Sequence, residues 1–260
     1  MSDVFESIAE QDDLAVALWL ETNPDVNIRD RRSMTVLMCL LGAGMTTFIP
    51  KVLELGGDVN AEDNNGHSVL DTAVSADPET LKYLILAGAR VDHVGGISDA
   101  TPFHLIAAVN NEKAIDVLLD AGADINVLDK FRSTPLTRAC MADKHDPPKI
   151  QHLIERGADL TLIDHRKDTT LHLFVEGRYP EFFHECIKQG VDINARNDYG
   201  GTPLFRAAEI GDYRCVKALL SFGPDPFIRS NAGILPSEIA RDMSIRQLLE
   251  EYEDRCKTNK

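Results

Sequence analysis

The sequence predicts an all-α solenoid: a row of helix–turn–helix units joined by protruding loops. Two series of markers carry that prediction. A short apolar element opened by Thr or Ser recurs at Thr35 (MTVLM), Ser68 (HSVLD), Thr101 (ATPFH), Thr134 (STPLT), Thr169 (DTTLH) and Thr202 (GTPLF), and with Leu at Leu235 (ILPSE). A second, turn-like element closes at Asn27 (PDVN), Asn60 (GDVN), His93 (RVDH), Asn126 (ADIN), Thr161 (ADLT), Asn194 (VDIN) and Phe227 (PDPF). Both series advance with the same period of 33, stretched to 35 at one matching step, Thr134 to Thr169 and Asn126 to Thr161. Two independent markers with one period define a tandem repeat.

Each element of a unit has a local reason. In TPFHLIAA (101–108), Pro at the second position suits a first helical turn, where its missing N–H costs nothing. In EKAIDVLLDAG (112–122), Ala114, Ile115, Val117, Leu118 and Leu119 cluster on one side and Gly122 follows the helix end. ADIN and the polar residues after it read as a turn and a loop. Neither helix can bury its apolar side alone, so stacked units must share a core.

The chain then divides as follows. Residues 1–29 form an N-terminal capping unit, with acidic Asp3, Glu6, Glu10, Asp12 and Asp13 suited to an outer face. Six full repeats follow at 30–62, 63–95, 96–128, 129–163, 164–196 and 197–229. Residues 230–256 form a C-terminal capping helix pair, ending in the charged RQLLEEYEDRCK, and 257–260 are a tail. The whole reads as one domain, and capped ends imply a monomer.

A period of 33 with T-P-L-H-x-A elements resembles the ankyrin-repeat family along nearly the whole chain. The resemblance implies an ankyrin-repeat solenoid with β-hairpin-like fingers between units. It also implies a non-catalytic module that binds another protein through finger tips and the exposed ends of the first helices. Family members often carry Gly in the finger turn. Gly66, Gly200 and Gly233 keep it, while Ser33, Asp99, Arg132 and Lys167 replace it, so those fingers are expected to be looser or differently shaped. The finger at 94–99 (VGGISD) diverges most. The fourth repeat carries two extra residues within MADKHDPPK (141–149), where Pro147 and Pro148 fit a loop and the first turn of a helix. In the family, the TPLH imidazole bonds the backbone of the adjacent loop, a structural role carried here by His104 and His172.

Composition narrows the function. The 260 residues carry a net charge of −15, which argues against nucleic acid or an anionic membrane as partner. No run reaches the roughly 18 apolar residues needed to span a bilayer, and the acidic N-terminus lacks a signal-peptide pattern. Five widely spaced cysteines suit a reducing compartment, cytoplasmic or nuclear. No phosphate-binding loop, metalloprotease motif or nucleophile elbow occurs. The HRKD at 165–168 stands alone, without the other parts of a kinase. His145, His152, His184 and Cys186 lack zinc-site spacing. No catalytic residue, metal or cofactor is expected.

Recognition is therefore expected on the concave surface. Nine of the 27 basic residues lie in the fingers, against eight acids, leaving the rest of the chain far more negative. The candidate protein-binding residues are Arg31, Arg32, Lys130, Phe131, Arg132, Arg166, Lys167, Arg196 and Tyr199, with Met141 and Arg206 on the bordering first helices. Arginines beside aromatics are typical interface hot spots. The sequence points to an acidic partner segment there. Binding of a basic partner through the acidic helical back is an alternative, and a bacterial or viral effector acting inside a host cell fits the same mode. The family also implies a different class of function, as a substrate of asparaginyl hydroxylation at Asn60, Asn126 or Asn194.

Overall fold

A computed structural model describes residues 3–109, 111–142 and 145–258. Its contacts divide the chain into two compact units, Met1–Lys130 and Phe131–Lys260. The first holds α1 (Val4–Ala9), α2 (Asp13–Glu21), α3 (Val36–Ala43), α4 (Ile49–Glu54), α5 (Val69–Thr72), α6 (Pro78–Leu86), α7 (Pro102–Ala108) and α8 (Glu112–Asp120). The second holds α9 (Pro135–Cys140), α10 (Pro147–Glu155), α11 (Thr170–Glu176), α12 (Phe183–Lys188), α13 (Pro203–Ile210), α14 (Tyr213–Leu220), α15 (Pro236–Ile239) and α16 (Met243–Thr258). These are the paired helices of an all-α ankyrin-type solenoid.

The recurring Thr starts the first helix of a pair by capping it. Thr134 Oγ1 accepts the Thr137 N–H at 3.1 Å and Thr202 Oγ1 the Phe205 N–H at 3.2 Å, with Pro135 and Pro203 in the first turn. Ser68 and Asp71 form a reciprocal capping box, at 2.7 and 3.2 Å. Asp12, Asp77, Asp146 and Asp212 cap second helices the same way. Pro147 opens α10, as the sequence suggests. Of the extra-residue stretch 141–149, residues 143 and 144 lie outside the described residues. The second helices α8, α10 and α12 end at left-handed Gly122, Gly157 and Gly190, and the residue after each donates back: Ala123 to Leu118 O, Ala158 to Leu153 O and Val191 to Cys186 O, all at 3.0 Å.

Within each unit the apolar sides of successive helices meet. In the first, Val36, Leu40, Val52, Val69, Leu81, Phe103, Ile106, Ile115 and Leu118 are wholly buried. In the second, Ile150, Leu153, Leu171, Phe174, Phe183, Ala207, Val216, Leu219 and Leu249 are buried as deeply, and α11, α13 and α15 pack in series. Burying one such Leu or Phe contributes about 1.5–3 kcal/mol. Phe174→Ala, which also removes ring contacts to Tyr179 and Phe182, is expected to cost about 3–5 kcal/mol.

The fingers share a backbone design that corrects one sequence expectation. Ser33, Arg132 and Lys167 adopt φ of 61, 57 and 59°, the same left-handed turn as Gly66, Gly200 and Gly233 at 78, 73 and 77°. The fingers without Gly are not differently shaped at this position. At two of them the opening Asp holds the turn. Asp30 Oδ1 accepts the N–H of Arg32 and Met34 at 2.8 and 2.9 Å, and Asp164 Oδ1 those of Arg166 and Asp168 at the same distances. In the second unit each finger also bonds the one before it: His165 N–H to Phe131 O (3.0 Å), Asp198 to Arg166 O (2.9 Å) and Asn231 to Tyr199 O (3.0 Å). The finger at 94–99 closes differently, through paired Gly95–Ala100 bonds of 3.1 Å. Residue 95 must be glycine in this arrangement, because a Cβ there would lie 2.0 Å from Gly66 O.

Candidate interaction groove

A cavity of about 690 Å³ opens in the second unit. Its floor comes from first helices: Leu173 and Glu176 of α11, Phe205, Arg206 and Glu209 of α13, and Ile239 of α15. Its wall comes from finger residues Arg166, Asp168, Asn197, Asp198, Tyr199 and Asn231, with Met141 just past α9. The Thr caps start each first helix at the same point after its finger, so equivalent side chains of successive repeats line one surface.

His172 ties floor to wall. Its Nδ1 accepts the Thr169 N–H at 3.2 Å, and its Nε2 donates to Gly201 O of the next finger at 3.1 Å. This matches the structural role implied for the TPLH histidine. Burial, outweighing the Gly201 bond and the nearby aspartates, holds its pKa below the ordinary histidine value.

The cations of the groove are held in place. Arg206 is clamped by two carboxylates, Glu176 Oε2 at 2.6 Å and Glu209 Oε2 at 2.6 Å. Arg166 sits between Asp168 at 3.3 Å and Asp164 at 3.5 Å. Asn197 Nδ2 donates to Asp168 Oδ1 at 2.8 Å, fixing that carboxylate. Lys167 pairs with Asp198 at 2.8 Å. Against these fixed charges, Tyr199 and Met141 are largely open, 69% and 56% exposed.

The structure thus gathers Met141, Arg166, Tyr199 and Arg206 of the sequence candidates at one cavity. Arg196 does not reach into it. Its guanidinium donates to Gly200 O, Arg229 O and Asn231 Oδ1 at 3.1–3.2 Å, stapling two fingers. Phe131 turns to His165, with ring centroids 5.4 Å apart, and Arg132 is exposed at its own finger turn. Arg31, Arg32 and Lys130 belong to the first unit, where Arg32 pairs with Asp30 at 3.7 Å and Lys130 Nζ donates to Ile97 O. Phe205, which the sequence reading passed over, forms part of the floor. Its signal was TPLF in place of TPLH: an apolar ring standing where His172 stands one repeat earlier.

Two of the candidate asparagines, Asn60 and Asn194, tie repeats together, while the Asn126 N–H bond lies within its own turn. Asn60 Nδ2 donates to Gly88 O at 2.9 Å and its Oδ1 accepts the Arg90 N–H at 3.0 Å. Asn194 Oδ1 accepts the Asp225 N–H at 2.8 Å, and the Asn126 N–H donates to Asp124 Oδ1 at 2.9 Å. Three cysteines, Cys140, Cys186 and Cys215, are buried, and burial raises their thiol pKa values, that of Cys215 to about 12.

Stacked helix pairs, bonded fingers and an open groove define a repeat protein of the kind that generally serves as a protein–protein interaction module. The family model described as "Ankyrin repeats (3 copies)" matches residues 77–164 and 139–230, and the chain belongs to the ankyrin-repeat family. The E3 ubiquitin-protein ligase KEG of Arabidopsis thaliana is 29% identical over 211 residues, covering 76% of this chain and 13% of that protein. Neurogenic locus notch homolog protein 1 of Mus musculus is 28% identical over 207 residues, covering 80% and 7%. The chain therefore spans only about a tenth of the length of these curated relatives. The crystal structure of the ankyrin repeat domain of Bcl-3, a member of the IkappaB protein family, superposes with a TM-score of 0.69 at 22% identity, over 85% of this chain and 100% of that one. Among the described residues no helix is long and apolar enough to cross a membrane.

Proposed function

We propose that this chain binds a segment of another protein in the groove between the fingers and first helices of residues 131–260. The observation that supports it most is the exposure of Tyr199 and Met141 beside a 690 Å³ cavity whose polar groups are fixed by their neighbours. Exposed apolar anchors within a pre-ordered polar frame bind with little loss of side-chain freedom. Among the described residues, none lining the groove is arranged as a nucleophile with its base. The His172 imidazole has both ring nitrogens committed to the backbone. The role is adaptor, scaffold or masking inhibitor, performed by binding alone.

Affinity capture from cell lysate, comparing wild type with a Tyr199→Ala/Met141→Ala double variant by quantitative mass spectrometry, tests this reading. A protein retained by wild type and lost with the double variant supports it. Equal retention of every captured protein by both overturns it.

A further inference from the structure

Resting on that reading, we infer that the groove's occupant is an extended segment carrying an arginine or lysine next to an apolar side chain. The argument is charge accounting around fixed groups. Arg206 lies between Glu176 and Glu209, and Arg166 between Asp164 and Asp168, each cation within 3.5 Å of both its acids. Each triad holds one positive and two negative charges and so keeps one negative charge uncompensated. The excess is local. Residues 131–260 carry 19 Lys and Arg against 20 Asp and Glu, whereas the cavity lining carries two cations and four carboxylates, of which Asp198 is paired with Lys167 and three face the two arginines.

The fixed geometry matters as much as the count. An acidic side chain entering the groove would have to win Arg206 or Arg166 from carboxylates already in contact. A cationic one meets acceptors with spare lone pairs: Glu176 and Glu209 keep about half their side-chain surface open, 50 and 42%. Tyr199 lines the same cavity and is largely exposed, and a cation over such a ring gains further attraction. Met141, Leu173 and Phe205 offer the apolar surface for the neighbouring residue. The acidic segment expected from counting finger arginines is disfavoured, because the groove's arginines are spent on their own neighbours.

The test is selection of a phage-displayed random dodecapeptide library on the full chain, with the enriched peptides synthesised and their affinities measured. The expected peptides carry net positive charge and at least one large apolar residue. Tyr199→Ala should weaken them at least fivefold, and Glu176→Gln/Glu209→Gln, which turns one triad from −1 to +1, at least tenfold. Both glutamates are exposed, so circular dichroism should show the fold of the double variant intact. Enriched peptides that are acidic, or indifferent to the double Gln substitution yet sensitive to Tyr199→Ala, overturn the charge inference and leave the groove reading standing. Peptides indifferent to Tyr199→Ala and Met141→Ala as well, or no enrichment, overturn both.

Discussion

Gly200 and Gly233 occupy the same finger position with φ of 73 and 77°, but their surroundings differ. A Cβ at Gly233 meets nothing within 4 Å, whereas one at Gly200 would lie 2.4 Å from Asn231 Oδ1 and 2.6 Å from both Asn231 N and Arg196 Nη2. Gly233→Ala therefore carries only the left-handed penalty of about 1–2 kcal/mol, partly offset by the stiffer unfolded chain, for a net loss of about 0.5–1 kcal/mol. Gly200→Ala carries that loss and also displaces the atoms that join two fingers: the Asn231 N–H bond to Tyr199 O and the Arg196 bond to Asn231 Oδ1. At about 0.5–1.5 kcal/mol for each bond, its total is about 1.5–4 kcal/mol. Urea unfolding of the two variants followed by circular dichroism measures both. Equal losses would refute the claim that finger-to-finger bonding stabilises the second unit. A Gly233→Ala loss as large as about 2–3 kcal/mol would refute the strain argument instead.

The other predictions are independent of that comparison. Arg132→Gly relieves a left-handed arginine and should stabilise the chain by about 0.5–1 kcal/mol, read as a higher urea midpoint at unchanged slope. Because the folded-state pKa of His172 lies below its unfolded value, the unfolded chain binds the extra proton first. Stability should fall as pH drops below about 6.5, and His172→Gln should flatten that slope between pH 7 and 5. Burial, with a smaller push from Asp30, lifts the Cys39 thiol to about 11, and Cys140 and Cys186 are buried. Iodoacetamide at neutral pH should therefore alkylate Cys256 before Cys39, and Cys140 and Cys186 only on unfolding, as peptide mapping would show.

What the sequence disclosed follows from what repeats. The cap residues Thr134, Thr169 and Thr202 and the turn residues Asp124, Asp159 and Asp192 act on backbone close by in the chain, so the same local chemistry leaves the same letters in every repeat. Contacts to the next repeat are hidden by the same regularity. Arg196 and Arg29 look like free finger cations in a list of residues. Arg196 reaches Arg229 O, and Arg29 reaches Glu62 O at 2.6 Å, each 33 residues on. Arg206 looked like a recognition residue for anions, and only the approach of Glu176, from the first helix of the preceding repeat, shows its charge already met. Conversely the left-handed turns at Ser33 and Lys167 looked irregular because Gly was missing, although Asp30 and Asp164 supply the fixing bonds.

The ladder of fingers also governs which changes in length the gene can tolerate. Asp198 bonds Arg166 O and Asn231 bonds Tyr199 O, the same separation along the chain in both cases. His165 bonds Phe131 O, a separation longer by two, across the repeat that carries the two extra residues. Donor and acceptor still meet there, so an insertion placed between the two helices of a repeat is not felt by the fingers. Loss or gain of one whole repeat would likewise present each N–H with an equivalent carbonyl. A one-residue slip inside a finger would mismatch every pairing it makes. Recombination between repeats can thus lengthen or shorten this protein in whole steps without inventing a new joint.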